Sequence, residues 1–439
     1  MYLLLANLII WSDGTLFRVL HLKEVYHHYI KKLRSFESGS ERDFMIAALL
    51  TITRRYDGKE SAKDLESQLS SHWMQSIKAK KDFVEICISL WDYYRHTGQY
   101  IKEASLLDIM SENEIGRYNR NQKISFFGTF FRITTQHGHF ARGIIGSEIF
   151  RSIFIKIDMQ DELLISFMGV VFLYIDIGWI EPAKEILDTS KEFSLLKGKK
   201  IYRNIHLLEY YIALGDLNNA MTALKETFKE LKGYSSSIYK AYTHYHLARV
   251  LTIKGVLKKP TRYFVNRILH GNDLNARFIL ITRLALVHCY YSNKNYDLAE
   301  QELYIIKTES INAKNIYCLY KAKEWECKIL FAQKQFELIN PIIQAMQSLW
   351  NDMGNENIPQ RHDLFRSGLA FQRGFIDLAF EILYSGYEKA KEFGNQFLLF
   401  EYLSAIIYIK KASIELEKQY HSLSLERSKH YIDDLNKVL

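Results

Sequence analysis

The amino-acid sequence predicts an all-α fold, an α-solenoid of eight or nine stacked helix-turn-helix hairpins. Three observations predict it. Only 4 prolines occur in 439 residues, which permits long uninterrupted helices. Turn residues recur at a nearly constant separation along most of the chain. Apolar residues stand at fixed offsets from each turn, so one structural unit is repeated in phase.

The turns are marked by glycine or lysine between two apolar stretches of helical spacing. Glycine takes the positive φ of a tight turn at little cost. The eight turn residues are Gly98, Gly138, Gly178, Gly215, Gly255, Lys294, Lys334 and Gly374. Gly58 precedes Gly98 by one further repeat and indicates a ninth, degenerate unit, because Glu60 stands where the other units have a large apolar residue.

Each second helix carries its own apolar pattern after the turn. A large apolar residue stands two positions after each turn: Tyr100, Phe140, Ile180, Leu217, Leu257, Tyr296, Phe336 and Ile376. Five positions after the turn, four units carry an alanine that lets the two helices of a hairpin approach closely: Ala183, Ala220, Ala299 and Ala379. Nine positions after the turn, an aliphatic residue returns to the same face: Leu107, Leu187, Leu224, Leu303, Ile343 and Leu383.

Three segments are predicted from this phasing. Residues 1–80 form an N-terminal helical cap that includes the degenerate repeat, and residues 81–396 form the repeat array. Residues 397–439 form capping helices, Leu399–Leu416 and Ser422–Leu439, because an end repeat would otherwise expose its stacking face. The apolar start, Met1–Trp11, is predicted to be a buried first helix, since it lacks the basic region of a signal peptide and is too short to span a bilayer.

Charge and cysteine content restrict the classes of partner. A formal charge of +8 that is not concentrated in blocks is compatible with an acidic partner but does not demand nucleic acid. The most basic stretch, Lys254–Arg267, is predicted to be a solvated helix face, with nucleic-acid binding as the alternative. No cysteine forms a CxxC pair, so the four thiols predict neither a zinc site nor disulfides, and they favour a reducing cytoplasm: Cys87, Cys289, Cys318 and Cys327.

The repeats resemble the tetratricopeptide repeat. The best unit, Leu207–Phe228, has an aromatic residue before the turn, Gly-Asp at the turn, and alanine followed by a large residue in the second helix. A tyrosine stands four positions before the turn in three units: Tyr174, Tyr211 and Tyr290. The long repeat period is similar to that of the sensor arrays of bacterial signal-transduction ATPases and maltose-regulator-type transcription activators. The resemblance implies one continuous domain that forms a right-handed superhelix, with the first helix of each hairpin on the concave face.

Catalytic and metal-binding motifs are not found in the sequence. There is no GxSxG, HExxH or GxGxxG pattern. His137 and His139 flank the turn residue Gly138 and are interpreted as part of a plain turn, not as metal ligands. His244 and His246 are two positions apart and therefore point to different sides of a helix. The chain is predicted not to be an enzyme and to need no cofactor and no metal.

The candidate ligand-binding residues lie on the predicted concave face. The position six before the turn holds Arg132, Phe172, Glu209, Arg249, His288 and Lys328, with Asp92 at its start. Tyr202, Tyr242, Lys321 and Arg361 lie thirteen before the turn, and Tyr245 lies ten before it. This mixture suits carboxylates, phosphates or an extended acidic peptide. The alternative is a set of ordinary exposed side chains on one face.

The function predicted is recognition of a peptide, a protein or a small signal molecule by the groove. The protein would act as a cytoplasmic sensor or adaptor in a signalling or transcription-regulatory system, with no membrane partner. The alternative is a scaffold subunit of a multiprotein complex, which would show an exposed apolar patch on an end or on the convex side. RNA binding by helical repeats is supported only by the basic excess.

Overall fold

The computed structural model describes residues 22–36, 39–78, 83–110, 115–116, 118–154, 164–190, 197–232, 237–256, 258–269, 276–409 and 413–424. All regular elements in these ranges are helical. Their contacts divide the chain into two compact units: unit 1, Met1–Ile133 with Asn275–Arg277, and unit 2, Thr134–Leu274 with Phe278–Leu439. The repeat phasing continues across this boundary, so it predicts one continuous domain and no division.

In unit 1, several helices pack against the second one in the chain. The described helices are α1 (Leu22–Leu33), α2 (Ser40–Tyr56), α3 (Gly58–Glu66), α4 (Trp73–Lys78), α5 (Phe83–Thr97), α6 (Tyr100–Ile109) and the first part of α7 (Arg120–His137). α2 packs against α1, α3, α4 and α5, and α5 packs against α6. Gly58 has φ 92° and is the first residue of α3, which packs against α2, so the degenerate unit also consists of two packed helices.

Unit 2 contains the remaining hairpins. Its described helices are α8 (Phe140–Phe154), α9 (Leu164–Ile177), α10 (Ile180–Thr189), α11 (Lys197–Leu214), α12 (Leu217–Leu231), α13 (Ser237–Ile253), α14 (Lys258–Tyr263), α15 (Ala276–Ser292), α16 (Tyr296–Asn312), α17 (Ile316–Ala332), α18 (Ile339–Asp352), α19 (His362–Gln372), α20 (Ile376–Phe393), α21 (Gln396–Tyr408) and α22 (Ile414–Ser424). A π-helical segment, Phe264–Leu269, continues α14, and a short 3₁₀ turn, Phe336–Leu338, precedes α18. Sequential helices pack in pairs, and α11 also packs against α9 and α13.

The predicted turns are confirmed. Gly178 and Gly215 have φ 79° and 73°, and a helix ends before each and a new one begins two positions later. Lys294 and Lys334 take the same left-handed conformation, at φ 59° and 60°. Because a side chain at positive φ is strained, the turn geometry is imposed by the packing of the hairpin at these two lysines.

The predicted hairpin contacts are also confirmed. The four alanines five positions after the turn are fully buried, and the aliphatic residues that follow four positions later are buried as well. Around Ala299, for example, buried side chains of α15, α16 and α17 form one apolar cluster: Leu280, Val287, Tyr291, Leu303, Ile306, Cys318, Ala322 and Ile329. Apolar burial between neighbouring hairpins therefore supplies the main stabilising contribution in unit 2.

The C-terminal end differs from the prediction in one respect. The expected closing helix Leu399–Leu416 is two helices, since α21 ends at Tyr408 and α22 begins at Ile414. The two pack against each other and against α20 through buried side chains such as Leu383, Leu403 and Leu416. The predicted helix Ser422–Leu439 extends beyond the described residues after Ser424, and the predicted helix Met1–Trp11 lies outside them.

Two contacts in unit 2 join a hairpin turn to a loop that comes several repeats later in the chain. In the first, Asn355 accepts a hydrogen bond from the amide of Ala141 at 3.1 Å and donates one to the carbonyl of Gly138. In the second, the indole of Trp179 donates to the carbonyl of Phe393 at 2.9 Å, and the amide of Gln396 donates to the carbonyl of Gly178 at 3.0 Å. We call these the first and second turn–loop contacts.

Candidate functional site

Five side chains occupy one repeat position on successive first helices of unit 2. Each lies six positions before its turn, and each is half-buried: Phe172 on α9, Glu209 on α11, Arg249 on α13, His288 on α15 and Lys328 on α17. We call this set the first-helix row. The half-buried state of all five agrees with a shared face, because neighbouring first helices such as α9, α11 and α13 pack side by side.

An ion pair joins two members of the first-helix row. The Nη1 nitrogen of Arg249 donates to both carboxylate oxygens of Glu209 at 2.6 Å. Burial alone would raise the pKa of Glu209, but the charge and hydrogen bonds of Arg249, together with the nearby histidines, lower this pKa below its usual value. Among the described residues, no acceptor contacts Nη2 or Nε of Arg249, so these N–H groups can bind a further oxygen.

Aromatic rings lie on the same three successive first helices as this ion pair. The Arg249 guanidinium lies 5.3 Å from the ring centre of Tyr245, a distance at which a cation is attracted to a ring. The ring of His206 lies 4.2 Å from that of Phe172 and 4.4 Å from that of Tyr202. The structure therefore brings together five predicted residues: Phe172, Tyr202, Glu209, Tyr245 and Arg249.

The remaining predicted tyrosine has a packing role. Tyr242 lies 4.4 Å from Phe278, ring centre to ring centre, and Tyr245 lies 5.6 Å from the same ring. Tyr242 is half-buried, whereas Tyr245 is only 8% exposed. Much of their surface is therefore covered by α15 and is not presented to a ligand.

His246 is a member of this site that the sequence did not predict. It lies three positions before Arg249 on α13 and is 1% exposed. Neither of its ring nitrogens has a hydrogen-bond partner among the described residues. Burial lowers the pKa of His246 to about 4, although Glu209 opposes this shift, so the ring is neutral at pH 7. His244 points away, toward Phe228 and Tyr263, as predicted.

A second cluster of charges lies around Glu324 on α17. Lys321, Lys328 and Arg361 contact its carboxylate at 3.1, 3.8 and 3.0 Å. Burial would raise the pKa of Glu324, and the three cations lower it below its usual range. Arg361 also binds Glu401 with two nitrogens, each at 2.7 Å. Glu324 and Glu401 were missed from the sequence, although Arg361 and Glu401 are one repeat apart, as Glu209 and Arg249 are.

A tryptophan connects the last two members of the first-helix row. The ring of Trp325 lies 5.1 Å from that of His288, and the ammonium of Lys328 lies 4.6 Å from its centre. Lys328 and Arg249 are thus paired cations, and each contacts a glutamate of the chain. That they bind a carboxylate-bearing ligand stays a prediction.

Arg132 belongs to unit 1, where its guanidinium lies 5.4 Å from the ring centre of Trp91. Asp92, the first residue at the position six before the turn, is 2% exposed and forms ion pairs with Arg54 at 3.7 Å and Arg95 at 3.3 Å. These contacts give Asp92 a structural role within unit 1.

The basic stretch Lys254–Arg267 separates its charges from its aromatic residues. Lys254, Lys258, Lys259, Arg262 and Arg267 are exposed, whereas Phe264 is fully buried. Tyr263 is half-buried against His244. Aromatic rings are therefore not presented beside the cations, as stacking on nucleic-acid bases would require. This arrangement agrees with the predicted solvated face.

Three exposed leucines form a row at the start of the second helices. Leu298, Leu338 and Leu378 each stand four positions after a turn, and they are 41%, 51% and 48% exposed. In earlier units the same position holds Lys102, Arg142, Pro182, Asn219 and Lys259. Phe375 and Ile376, also exposed, adjoin Leu378 in sequence. We call the three leucines the leucine row.

Within the described ranges, no group of three or more His, Cys, Asp or Glu side chains has an arrangement that could hold a metal ion. No helix in these ranges has the length and apolar character needed to cross a membrane.

Comparison with known proteins identifies a distant structural similarity. No protein-family model and no curated protein matches the sequence. Among solved structures, a Rap protein complexed with competence and sporulation factor is similar at a TM-score of 0.48 and 11% identity. The similarity covers 88% of this chain and 100% of that one. At these values it supports no inference about a ligand, so the description as tetratricopeptide-like helical repeats rests on the hairpins of the chain itself.

Proposed function

We propose that unit 2 recognises a peptide segment of a partner protein along the first-helix row, and that the protein is a non-enzymatic sensor or adaptor. One observation carries this proposal. Three successive first helices place the aromatic rings of Phe172 and Tyr202 near a half-buried Arg–Glu pair with unused N–H donors. Rigid aromatic and arginine side chains at neighbouring positions are the residues that dominate binding energy in protein interfaces.

The charge balance of the site favours a segment with both apolar and polar groups. Arg249 is neutralised by Glu209, and Glu324 by three cations, so the site does not offer a strong field of open positive charge. Backbone carbonyls or a carboxylate of the partner could still accept from Nη2 or Nε of Arg249. A carboxylate of the partner would therefore bind Arg249 together with Glu209, and it would not displace Glu209.

The proposal includes no catalytic step, because its residues form neutralised ion pairs and ring contacts, not a nucleophile with an oriented base. We also propose a cytoplasmic location, which the four buried free thiols support: Cys87, Cys289, Cys318 and Cys327. A role in signalling or transcription regulation is part of the proposal and rests on the long repeat period.

The test is to isolate the partner by pull-down and measure its binding by calorimetry. Tyr202→Ala is expected to cost about 1–3 kcal/mol of binding free energy, because it removes an aromatic contact of the site. The double variant Glu209→Arg/Arg249→Glu retains an ion pair but exchanges the donor positions, and it should lose a similar amount. Lys225→Ala, an exposed residue on α12, is the control. Equal, small losses from all three variants would refute recognition at the first-helix row.

A scaffold function is the second candidate, and the leucine row favours it. Exposed leucines at the same position of three hairpins are the kind of apolar surface that marks a protein contact. The same pull-down distinguishes the two functions. If Leu298, Leu338 and Leu378 are replaced by serine, a scaffold partner is lost while Tyr202→Ala binds normally. The reverse result supports the first-helix row.

A further inference from the structure

The two turn–loop contacts of unit 2 are related by one repeat. Gly138 and Gly178 are equivalent residues of consecutive units, and their partners Asn355 and Asn395 are separated by the same interval. A Cβ atom on Gly138 would meet Met353 and Tyr317, and one on Gly178 would meet Asn395. Each turn therefore lies directly against its loop. Because the same displacement relates both members of both contacts, a rigid movement of the hairpins around Gly138 and Gly178 away from those around Asn355 and Asn395 would separate both pairs.

The turn–loop contacts combine hydrogen bonds with contacts of buried rings, and they are smaller than the packing between neighbouring hairpins. Besides the four described above, the ring of His139 lies 3.2 Å from the carbonyl of Met353. Ring contacts accompany these hydrogen bonds: Phe140 packs against Tyr317 and Trp350, and Trp179 packs against Phe393. Water can replace a hydrogen bond at small net cost, whereas the apolar packing between neighbouring hairpins cannot be replaced in this way.

Asn355 departs from the role of its counterparts in other repeats. Asn315 and Asn395 stand one repeat before and after it, and each caps the helix that follows by accepting from Cys318 or Leu398. The side chain of Asn355 instead accepts from Ala141, the second residue of α8, and it is fully buried. Asn355 therefore accepts a hydrogen bond from the first turn of a helix that is distant in sequence. Asn315 and Asn395 accept theirs from the helix that directly follows them.

We infer that unit 2 has an open form, in which both turn–loop contacts break together while every hairpin remains folded. Opening separates the end of α9 from the start of α21. These helices carry Phe172 and Glu401, which lie at the two ends of the charged and aromatic clusters described above. Opening would thus change the separation between these two helices, whatever ligand the protein binds.

Hydrogen exchange of the ligand-free protein tests this inference. The amides of Ala141 and Gln396 report the first and second contacts, and the amide of Ala299, bound to Asn295 within one hairpin, reports hairpin stability. In the wild type, Ala141 and Gln396 should exchange with one shared opening constant, at least about tenfold faster than Ala299. Their exchange should also depend less on denaturant than that of Ala299, because opening exposes less surface than global unfolding. Exchange at the rate of Ala299, through global unfolding only, would overturn the inference.

Two variants test whether the contacts open together. Asn355→Ala should accelerate exchange of Ala141 and also of Gln396, each by roughly tenfold, with Ala299 unchanged. Asn315→Ala removes an equivalent buried asparagine that makes no turn–loop contact in the described structure, and it should leave both amides within about twofold of the wild type. An effect of Asn355→Ala confined to Ala141 would show that the two contacts are independent. The wild-type measurement decides the inference even if a variant fails to fold.

Discussion

Arg249 binds Glu209 at a separation of one repeat, with one guanidinium nitrogen shared between both carboxylate oxygens at 2.6 Å. The pair joins α11 to α13 on the face where a ligand was expected. On the sequence alone, Arg249 is a binding residue whose truncation should leave folding nearly intact. The structure gives it a second role, because its loss leaves a half-buried carboxylate without its cation.

Replacing Arg249 by leucine is therefore expected to lower the free energy of unfolding by about 1–3 kcal/mol, between the values for exposed and buried ion pairs. The double variant Glu209→Leu/Arg249→Leu should recover most of this loss, since it removes the unpaired charge. Urea titration of the four proteins of this cycle gives the coupling free energy. A single Arg249→Leu variant as stable as the wild type would contradict a stabilising pair.

His246 predicts a loss of stability in mild acid. Its pKa is about 4 in the folded protein and 6.5 for a free histidine. Between these values the unfolded chain binds a proton that the folded chain does not, so stability is full above pH 6.5 and falls as the pH falls toward 4. The expected loss is about 3 kcal/mol. Urea unfolding at several pH values should show a smaller slope for His246→Phe, and an unchanged slope for the exposed control His28→Gln.

Gly178 and Gly374 allow the destabilisation caused by backbone strain to be distinguished from that caused by a steric clash of the new side chain. Both have positive φ, 79° and 81°, but a Cβ atom meets the Asn395 side chain only at Gly178 and has no atom within 4 Å at Gly374. Gly374→Ala should lower the free energy of unfolding through strain alone, by about 1–2 kcal/mol. Gly178→Ala should cost more, because Asn395 must also move. Urea unfolding of both variants measures the difference, and equal losses would mean that the second turn–loop contact adds no constraint at this position.

The left-handed lysines offer a stabilising change. Lys294 and Lys334 stand where other units have glycine and have φ near 60°, so glycine at either position should raise the free energy of unfolding by about 0.5–1 kcal/mol. Lys225→Gly, within α12, is the matched control and should destabilise by a similar amount. Thermal unfolding of the three variants measures both the expected gain in stability at Lys294 and Lys334 and the expected loss at Lys225. A loss at Lys294 would indicate that its side chain is needed at the turn.

The hairpins could be predicted from the sequence because each one is specified locally. The glycine at a turn, the alanine five positions later and the leucine nine positions later all lie within one unit, so their spacing reports their contact directly. For this reason Ala220 and Leu224 were placed correctly in the core. The Arg–Glu pairs were only half predicted: Arg249 and Glu209 were both named, but the partners of Arg361 were not.

The turn–loop contacts could not be predicted in this way. Whether the turn at Gly138 meets the loop at Asn355 depends on the small rotation between one hairpin and the next, accumulated over several units. No residue pattern within a single repeat predicts that rotation. The buried state of His246 was missed for a related reason, since it depends on how closely α11 and α13 approach each other.

The hydrogen bonds of Asn355 to Gly138 and Ala141 also bear on how unit 2 folds. In a linear repeat array each unit contacts only its neighbours, so contacts are local and folding can begin anywhere and spread. A contact between residues so distant in sequence requires a long segment of chain to be ordered first, and its loop-closure entropy opposes early formation. The docking of these turns should therefore be the last event in folding. Because the contacts join distant hairpins, loss of a hairpin at one end of unit 2 should be detectable as faster unfolding at the other end.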